Sequence, residues 1–169
     1  DIVFDGLAEL AGATGGYGYR VATLDMDDDG FDDLAISESR WKGEAGAYGR
    51  VMVFRGGARG LDSLATRTMV SSDVDSIMGS EVASAGDVNG DGFEDLLVTV
   101  ETIKSRVGRV FWCLGGTRSD RMRPSWSVEG SAFDSGIGRS MTAAGDVNGD
   151  GFGDVVIGEL RAADPLVEE

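Results

Sequence analysis

A nine-residue loop pattern occurs three times in this chain and restricts the backbone more tightly than any other feature of the sequence. Residues 25–33 read Asp-Met-Asp-Asp-Asp-Gly-Phe-Asp-Asp, residues 87–95 read Asp-Val-Asn-Gly-Asp-Gly-Phe-Glu-Asp, and residues 146–154 read Asp-Val-Asn-Gly-Asp-Gly-Phe-Gly-Asp. Oxygen-bearing side chains recur at the first, third, fifth and ninth positions, with Gly at the sixth and Phe at the seventh. Alternate oxygen donors on a short loop suit a hard cation such as calcium, which takes about six to eight oxygens at about 2.3–2.6 Å. The first loop offers Asp25, Asp27, Asp29, the carbonyl of Phe31, and Asp33; the second offers Asp87, Asn89, Asp91, the carbonyl of Phe93, and Asp95. The third offers Asp146, Asn148, Asp150, the carbonyl of Phe152, and Asp154. Three calcium sites are therefore expected. The sequence has no His and a single Cys, which leaves no ligand set for a softer metal.

A helix-loop-helix calcium site closes with a Glu at the twelfth loop position. Here that position holds Ile36, Val98 or Ile157, so closure falls to the ninth-position Asp. Each loop is flanked by short apolar runs: Val21–Leu24, Val82–Ala85 and Met141–Ala144 before it, and Leu34–Ile36, Leu96–Val98 and Val155–Ile157 after it. These read as strands, so the loops join β-hairpins.

The loops begin at 25, 87 and 146, a repeat of about 60 residues that suits one four-stranded sheet per unit. A third strand is predicted at Gly49–Phe54 and again at Gly108–Cys113, each followed by a Gly pair, Gly56-Gly57 and Gly115-Gly116. A fourth is predicted at Arg67–Val70 and at Trp126–Val128. Units of this kind, repeated radially, make the blades of a β-propeller.

Taken in order, Gly-x-x-Val-Ala, Asp-x-Asn-x-Asp-Gly-Phe-x-Asp-Leu, Gly-Arg-Val-x-x-Phe and Gly-Gly resemble the FG-GAP repeat of integrin α-subunit propellers and their bacterial relatives. The resemblance runs from about residue 16 to 158, and its calcium loop is the specific part. Tyr17-Gly18, Met78-Gly79 and Ile137-Gly138 stand where Phe-Gly is usual, and Ile36-Ser37-Glu38, Val98-Thr99-Val100 and Ile157-Gly158-Glu159 where Gly-Ala-Pro is usual. The fold class expected is all-β, one propeller segment over residues 1–169 with repeats at about 16–76, 77–135 and 136–160. The tail after Ile157 is too short for two more strands, and residues 1–16, with Ile2–Phe4 and Leu7–Leu10, supply at most an orphan outer strand. That leaves two full blades and part of a third, whereas closed rings use about four to eight. The ring is expected to be completed by a missing segment or by another copy of the chain, a homo-oligomer.

Net charge is −15, which argues against a nucleic-acid partner, since phosphate binding needs a basic face. Of the 30 acidic residues, 13 lie within the three loops, so much of that charge is a metal requirement. No apolar stretch is long enough to span a membrane. The chain opens at Asp1 with neither Met nor a signal sequence, which suggests a processed or excised segment. Weak calcium loops suit surroundings rich in calcium, with dissociation constants of about 10⁻⁴–10⁻³ M. An extracellular, cell-surface or periplasmic setting is expected.

The resemblance implies a non-enzymatic adhesion or interaction module that binds a protein or glycan ligand on the face away from the calcium loops. The alternatives are an accessory domain of a secreted hydrolase and a sugar-binding lectin. Without His, Ser-His-Asp and Cys-His catalysis are unavailable. Trp41, Trp112 and Trp126 do not recur at equivalent repeat positions, as lectin platforms would. Phe31, Phe93 and Phe152 are expected as core anchors, Trp112 and Trp126 as strand packing, and Cys113 as a small buried hydrophobe. Trp41 is placed in a long connection from Ser37 to Tyr48, and Arg118, Arg121 and Arg123 form a local basic cluster.

Overall fold

The computed structural model describes residues 17–43, 48–117 and 124–161. The runs Ile2–Phe4 and Leu7–Leu10, the cluster Arg118, Arg121 and Arg123, and the last residues of the tail lie outside the described residues.

Among the described residues ten strands follow one another without a helix: β1 (Tyr17–Leu24), β2 (Asp33–Lys42), β3 (Tyr48–Phe54), β4 (Arg67–Val70), β5 (Ser76–Gly86), β6 (Asp95–Thr102), β7 (Gly108–Cys113), β8 (Pro124–Glu129), β9 (Met141–Gly145) and β10 (Asp154–Ile157). Strands β1 to β4 pair antiparallel in sequence order, as do β5 to β8. The two units meet at one parallel bridge, Tyr48 opposite Ile77. The third unit is a hairpin, β9 with β10. Every predicted strand pair recurs here, and each loop joins the first two strands of its unit as expected.

Period-2 alternation explains how one strand serves two cores, because successive side chains point to opposite faces. On β6, Leu96, Val98 and Val100 enter a core shared with Ala35, Val51, Val53 and Met69 of the first unit. Leu97, between them, enters a second core with Ala85, Val110 and Ile137, packed by Met141, Val155 and Ile157 of the third unit. The first unit's far face holds Ile36, Met52 and Phe54. The sheets thus stack face to face like consecutive blades, burying Asp95 through Val100 on both sides. Cys113 lies in the first of these cores at 1% exposure, and burial pushes its thiol up to about 12, which fits the inert role expected of it.

Three side chains depart from expectation. Phe31 and Phe152 are not core anchors: they are 44% and 47% exposed, because a seventh-position side chain leaves from the loop and not from the pleat behind it. The Phe152 ring instead lies against Gly90 of the second loop, bridging adjacent units. Trp41 belongs to β2 and not to a connection, since that strand runs to Lys42, and the Arg50 guanidinium sits 5.3 Å from its ring centroid. Trp112 and Trp126 do pack together edge-on at 4.5 Å between ring centroids, yet Trp126 keeps 55% of its surface in solvent.

Candidate metal centre

Each loop folds around the carboxylate of its first Asp. In the second loop, Asp87 Oδ1 accepts the N–H of Gly90 (2.7 Å) and of Asp91 (3.1 Å), and its Oδ2 accepts that of Gly92 (2.8 Å). Asp146 repeats this with Gly149 (2.7 Å), Asp150 (3.0 Å) and Gly151 (2.9 Å). Asp25 keeps the last two contacts, with Asp29 (3.2 Å) and Gly30 (2.9 Å). The fifth-position Asp then accepts the N–H of the Phe: Phe31 to Asp29 at 3.0 Å, Phe93 to Asp91 at 3.1 Å, Phe152 to Asp150 at 3.0 Å. The sixth-position glycines take φ of +84°, +89° and +91°, a left-handed backbone that a side chain would strain. The Gly151, Gly149 and Asp150 N–H groups hold the Asp146 carboxyl below the ordinary carboxylate range, since they favour its charged form.

The ninth-position Asp closes the loop from beneath. Asp33 and Asp95 are 3% and 0% exposed. Asp95 Oδ1 accepts the N–H of Gly115 at 2.8 Å and its Oδ2 that of Val88 at 3.1 Å; Asp33 Oδ1 accepts that of Gly56 at 2.8 Å. This is why the first glycine of the Gly pair recurs in both units. A Cβ on Gly56 would stand 2.2 Å from the Asp32 carbonyl oxygen, and one on Gly115 would stand 2.4 Å from that of Glu94. Asp154 accepts the Val147 N–H at 2.9 Å and is only half-buried. Burial pushes the Asp95 carboxyl up to about 6 against the pull of the Gly115 and Val88 N–H groups, with Asp91 and Asp87 adding repulsion. Asp33 is raised for the same first reason, opposed by Gly56 and Met26 and aided by Asp29 and Asp25. The ninth carboxylate therefore shares a field with the first and fifth.

In the first loop, one oxygen from each of Asp25, Asp27 and Asp29 lies within 4.8 Å of the others, a grouping that could hold a metal ion. Asp27 Oδ1 is buried with no hydrogen-bond partner among the described residues. A buried anionic oxygen without a donor is costly, and a cation would relieve it. The donor set and this orphaned atom both fit a hard cation. Asn89 and Asn148 hold the third position in the other two loops and donate from Nδ2 to Asp91 (3.2 Å) and Asp150 (2.9 Å).

Sequence reasoning missed the links between loops. The Glu94 N–H donates to the Asp25 carbonyl at 3.1 Å, and the Gly153 N–H, at the same eighth position, donates to the Asp87 carbonyl at 2.9 Å. Glu94 Oε2 also accepts the Asp25 N–H at 3.2 Å. Nothing in the eighth-position residues, Asp, Glu and Gly, signals a shared backbone role. It missed Arg55 as well, whose guanidinium lies against Asp27 and Asp29.

Residues 17–53 match the family described as FG-GAP repeat, and residues 87–157 that described as FG-GAP-like repeat. The chain belongs to the FG-GAP repeat family. Its four-stranded units are accordingly propeller blades, and the described part is an open segment of such a propeller. Mouse integrin alpha-IIb is 32% identical over 157 residues, covering 87% of this chain and 15% of that protein. Drosophila melanogaster integrin alpha-PS2 is 31% identical over 153 residues, 83% of this chain and 10% of that protein. Human integrin alpha-7 is 30% identical over 152 residues, 87% of this chain and 12% of that protein. The FG-GAP segment thus spans 10 to 15% of the length of these relatives. Among the described residues no helix is long and apolar enough to cross a membrane.

Proposed function

We propose that this segment is a calcium-binding propeller module for extracellular adhesion or protein interaction, with calcium in a structural role. The observation that carries the reading is the recurrence of one geometry three times: a first-position carboxylate ringed by loop N–H groups, a fifth-position carboxylate beside it, and a ninth-position carboxylate beneath. Asp25, Asp27, Asp29, Asp33 and the Phe31 carbonyl would hold the first ion. Asp87, Asn89, Asp91, Asp95 and the Phe93 carbonyl would hold the second, and Asp146, Asn148, Asp150, Asp154 and the Phe152 carbonyl the third. Calcium supplies positive charge where these side chains concentrate negative charge. Isothermal titration is expected to read three calcium ions per chain, falling to two in Asp146→Ala; a chain that takes up none would defeat the proposal.

Likeness to integrin α-subunits supports an adhesion or interaction role over a catalytic one, and a calcium-rich extracellular or cell-surface setting. The segment is read as one unit of three repeats, at about residues 16–76, 77–135 and 136–160. Open faces support a ring completed from outside the segment. Among the described residues the third unit has no strand beyond β10, and Trp126 stands exposed beside Val155 in a groove of about 480 Å³. If a second copy fills that face, light scattering will show mass rising with concentration. A monomer at every concentration would defeat the shared ring.

A further inference from the structure

The first loop differs from the others at two places that answer one another. Its third position is Asp27 where they carry Asn89 and Asn148. The residue between β3 and the Gly pair is Arg55, where the second unit carries Leu114. In the second and third loops the Asn amide donates to the fifth-position carboxylate, at 3.2 and 2.9 Å. A carboxylate at that position cannot donate. Arg55 supplies positive charge from outside the loop instead: its Nη2 lies against Asp27 Oδ2, and its Nε is 3.7 Å from Asp29 Oδ2, an ion pair beyond hydrogen-bond reach. The Asp27 side chain is only 9% exposed although that of Arg55 keeps 44% of its surface in solvent, and Asp27 Oδ1, the oxygen Arg55 does not contact, is buried with no hydrogen-bond partner among the described residues.

We propose that Arg55 is a built-in counter-cation of the first loop, which competes with the metal ion for Asp27 and Asp29 and makes this site the weaker of the set. The inference rests on the metal reading above. Its charge logic is simple. The side-chain ligands of the first loop are four carboxylates and those of the second are three and an amide, so Arg55 brings the first to the net charge of the second. A guanidinium bridging two ligands must withdraw, or be repelled, when a divalent ion enters between them. The same contact that lowers metal affinity also steadies the metal-free loop, because without it Asp27 and Asp29 would face each other uncompensated.

Calcium titration followed by NMR separates the loops, because the Gly30, Gly92 and Gly151 amides each donate to the first Asp of a different loop, at 2.9, 2.8 and 2.9 Å. Arg55→Leu, which installs the residue of the second unit, is expected to lower the calcium midpoint at Gly30 about tenfold or more, since a full positive charge leaves the site. The midpoints at Gly92 and Gly151 should move less than about twofold, being screened and more distant. Arg55→Gln should act in the same direction while retaining a donor. Asp27→Asn with Arg55→Leu, which rebuilds the second loop's chemistry, should bring the Gly30 midpoint back towards that of Gly92. In EGTA the order inverts, and Arg55→Leu melts below wild type. A Gly30 midpoint that stays put or weakens in both Arg55 variants, with Gly92 and Gly151 still responding, overturns this inference alone. Silence at all three glycines overturns the metal reading and the inference with it.

Discussion

In excess EGTA the segment is expected to melt roughly 10 °C lower than in millimolar calcium. The size follows from linkage. Where free calcium exceeds the dissociation constant about tenfold, each site contributes roughly 1.4 kcal/mol to folding, and three contribute about 4 kcal/mol. A typical domain has only about 5–15 kcal/mol in total. The structure supplies the reason for dependence on the ion. Asp25, Asp27 and Asp29 bring oxygens within 4.8 Å of one another, and Asp95 is a carboxylate buried to 0% exposure. Like charges at that range repel, and burial penalises the charged form further. The effect should also spread between units. Asp25 and Asp87 each offer their carbonyl to the next loop, so slackening one loop loosens the interface beside it. Differential scanning calorimetry with and without calcium reads this directly. Identical melting curves would mean that the hydrogen bonds around Asp25, Asp87 and Asp146 hold the loops unaided.

The hairpins and the loops were legible because two signals coincide there: oxygen donors at alternate positions, and short, largely apolar runs on either side, as in Val82–Ala85 and Leu96–Val98. The same holds for β3 and β7, whose Gly-Arg-Val starts and Gly-Gly ends repeat almost unchanged. The features that escaped reading depend on contacts between units, and a single repeat does not encode its neighbours. Phe152 looks like a core residue by type, but its ring settles on Gly90 of the previous loop, where a Cβ would stand 2.7 Å from the ring. Trp41 was misplaced because Glu38, Arg40 and Lys42 look like loop composition. In the sheet Glu38 is buried and paired with Arg50 at 2.8 Å, which lets the strand continue through charged sequence. Arg55 carried no motif at all. Its meaning appears only when it is set against Leu114 and Asp27.

The ninth-position Asp separates the metal's contribution from the fold's, and Asp95→Ala against Asp154→Ala is the pair that does so. Both changes remove the same proposed ligand, so in calcium both should lose one bound ion. Without calcium they should part. Asp95 is fully buried and satisfies two backbone donors, Gly115 at 2.8 Å and Val88 at 3.1 Å. Removing it strands both N–H groups in a dry interior, at about 1–3 kcal/mol each, and leaves a void beside Gly115 that close packing keeps the neighbours from filling. Asp154 is half-buried and accepts one N–H, from Val147 at 2.9 Å, which water can replace. Relief of the penalty on a buried carboxylate offsets part of the Asp95 loss, since burial raises that group by making its charged form costlier than in water. The balance expected in EGTA is about 2 kcal/mol more destabilisation for Asp95→Ala than for Asp154→Ala, read from urea midpoints at constant slope. Equal losses would mean that the Gly115 and Val88 donors find other acceptors, and that the ninth position serves the ion alone.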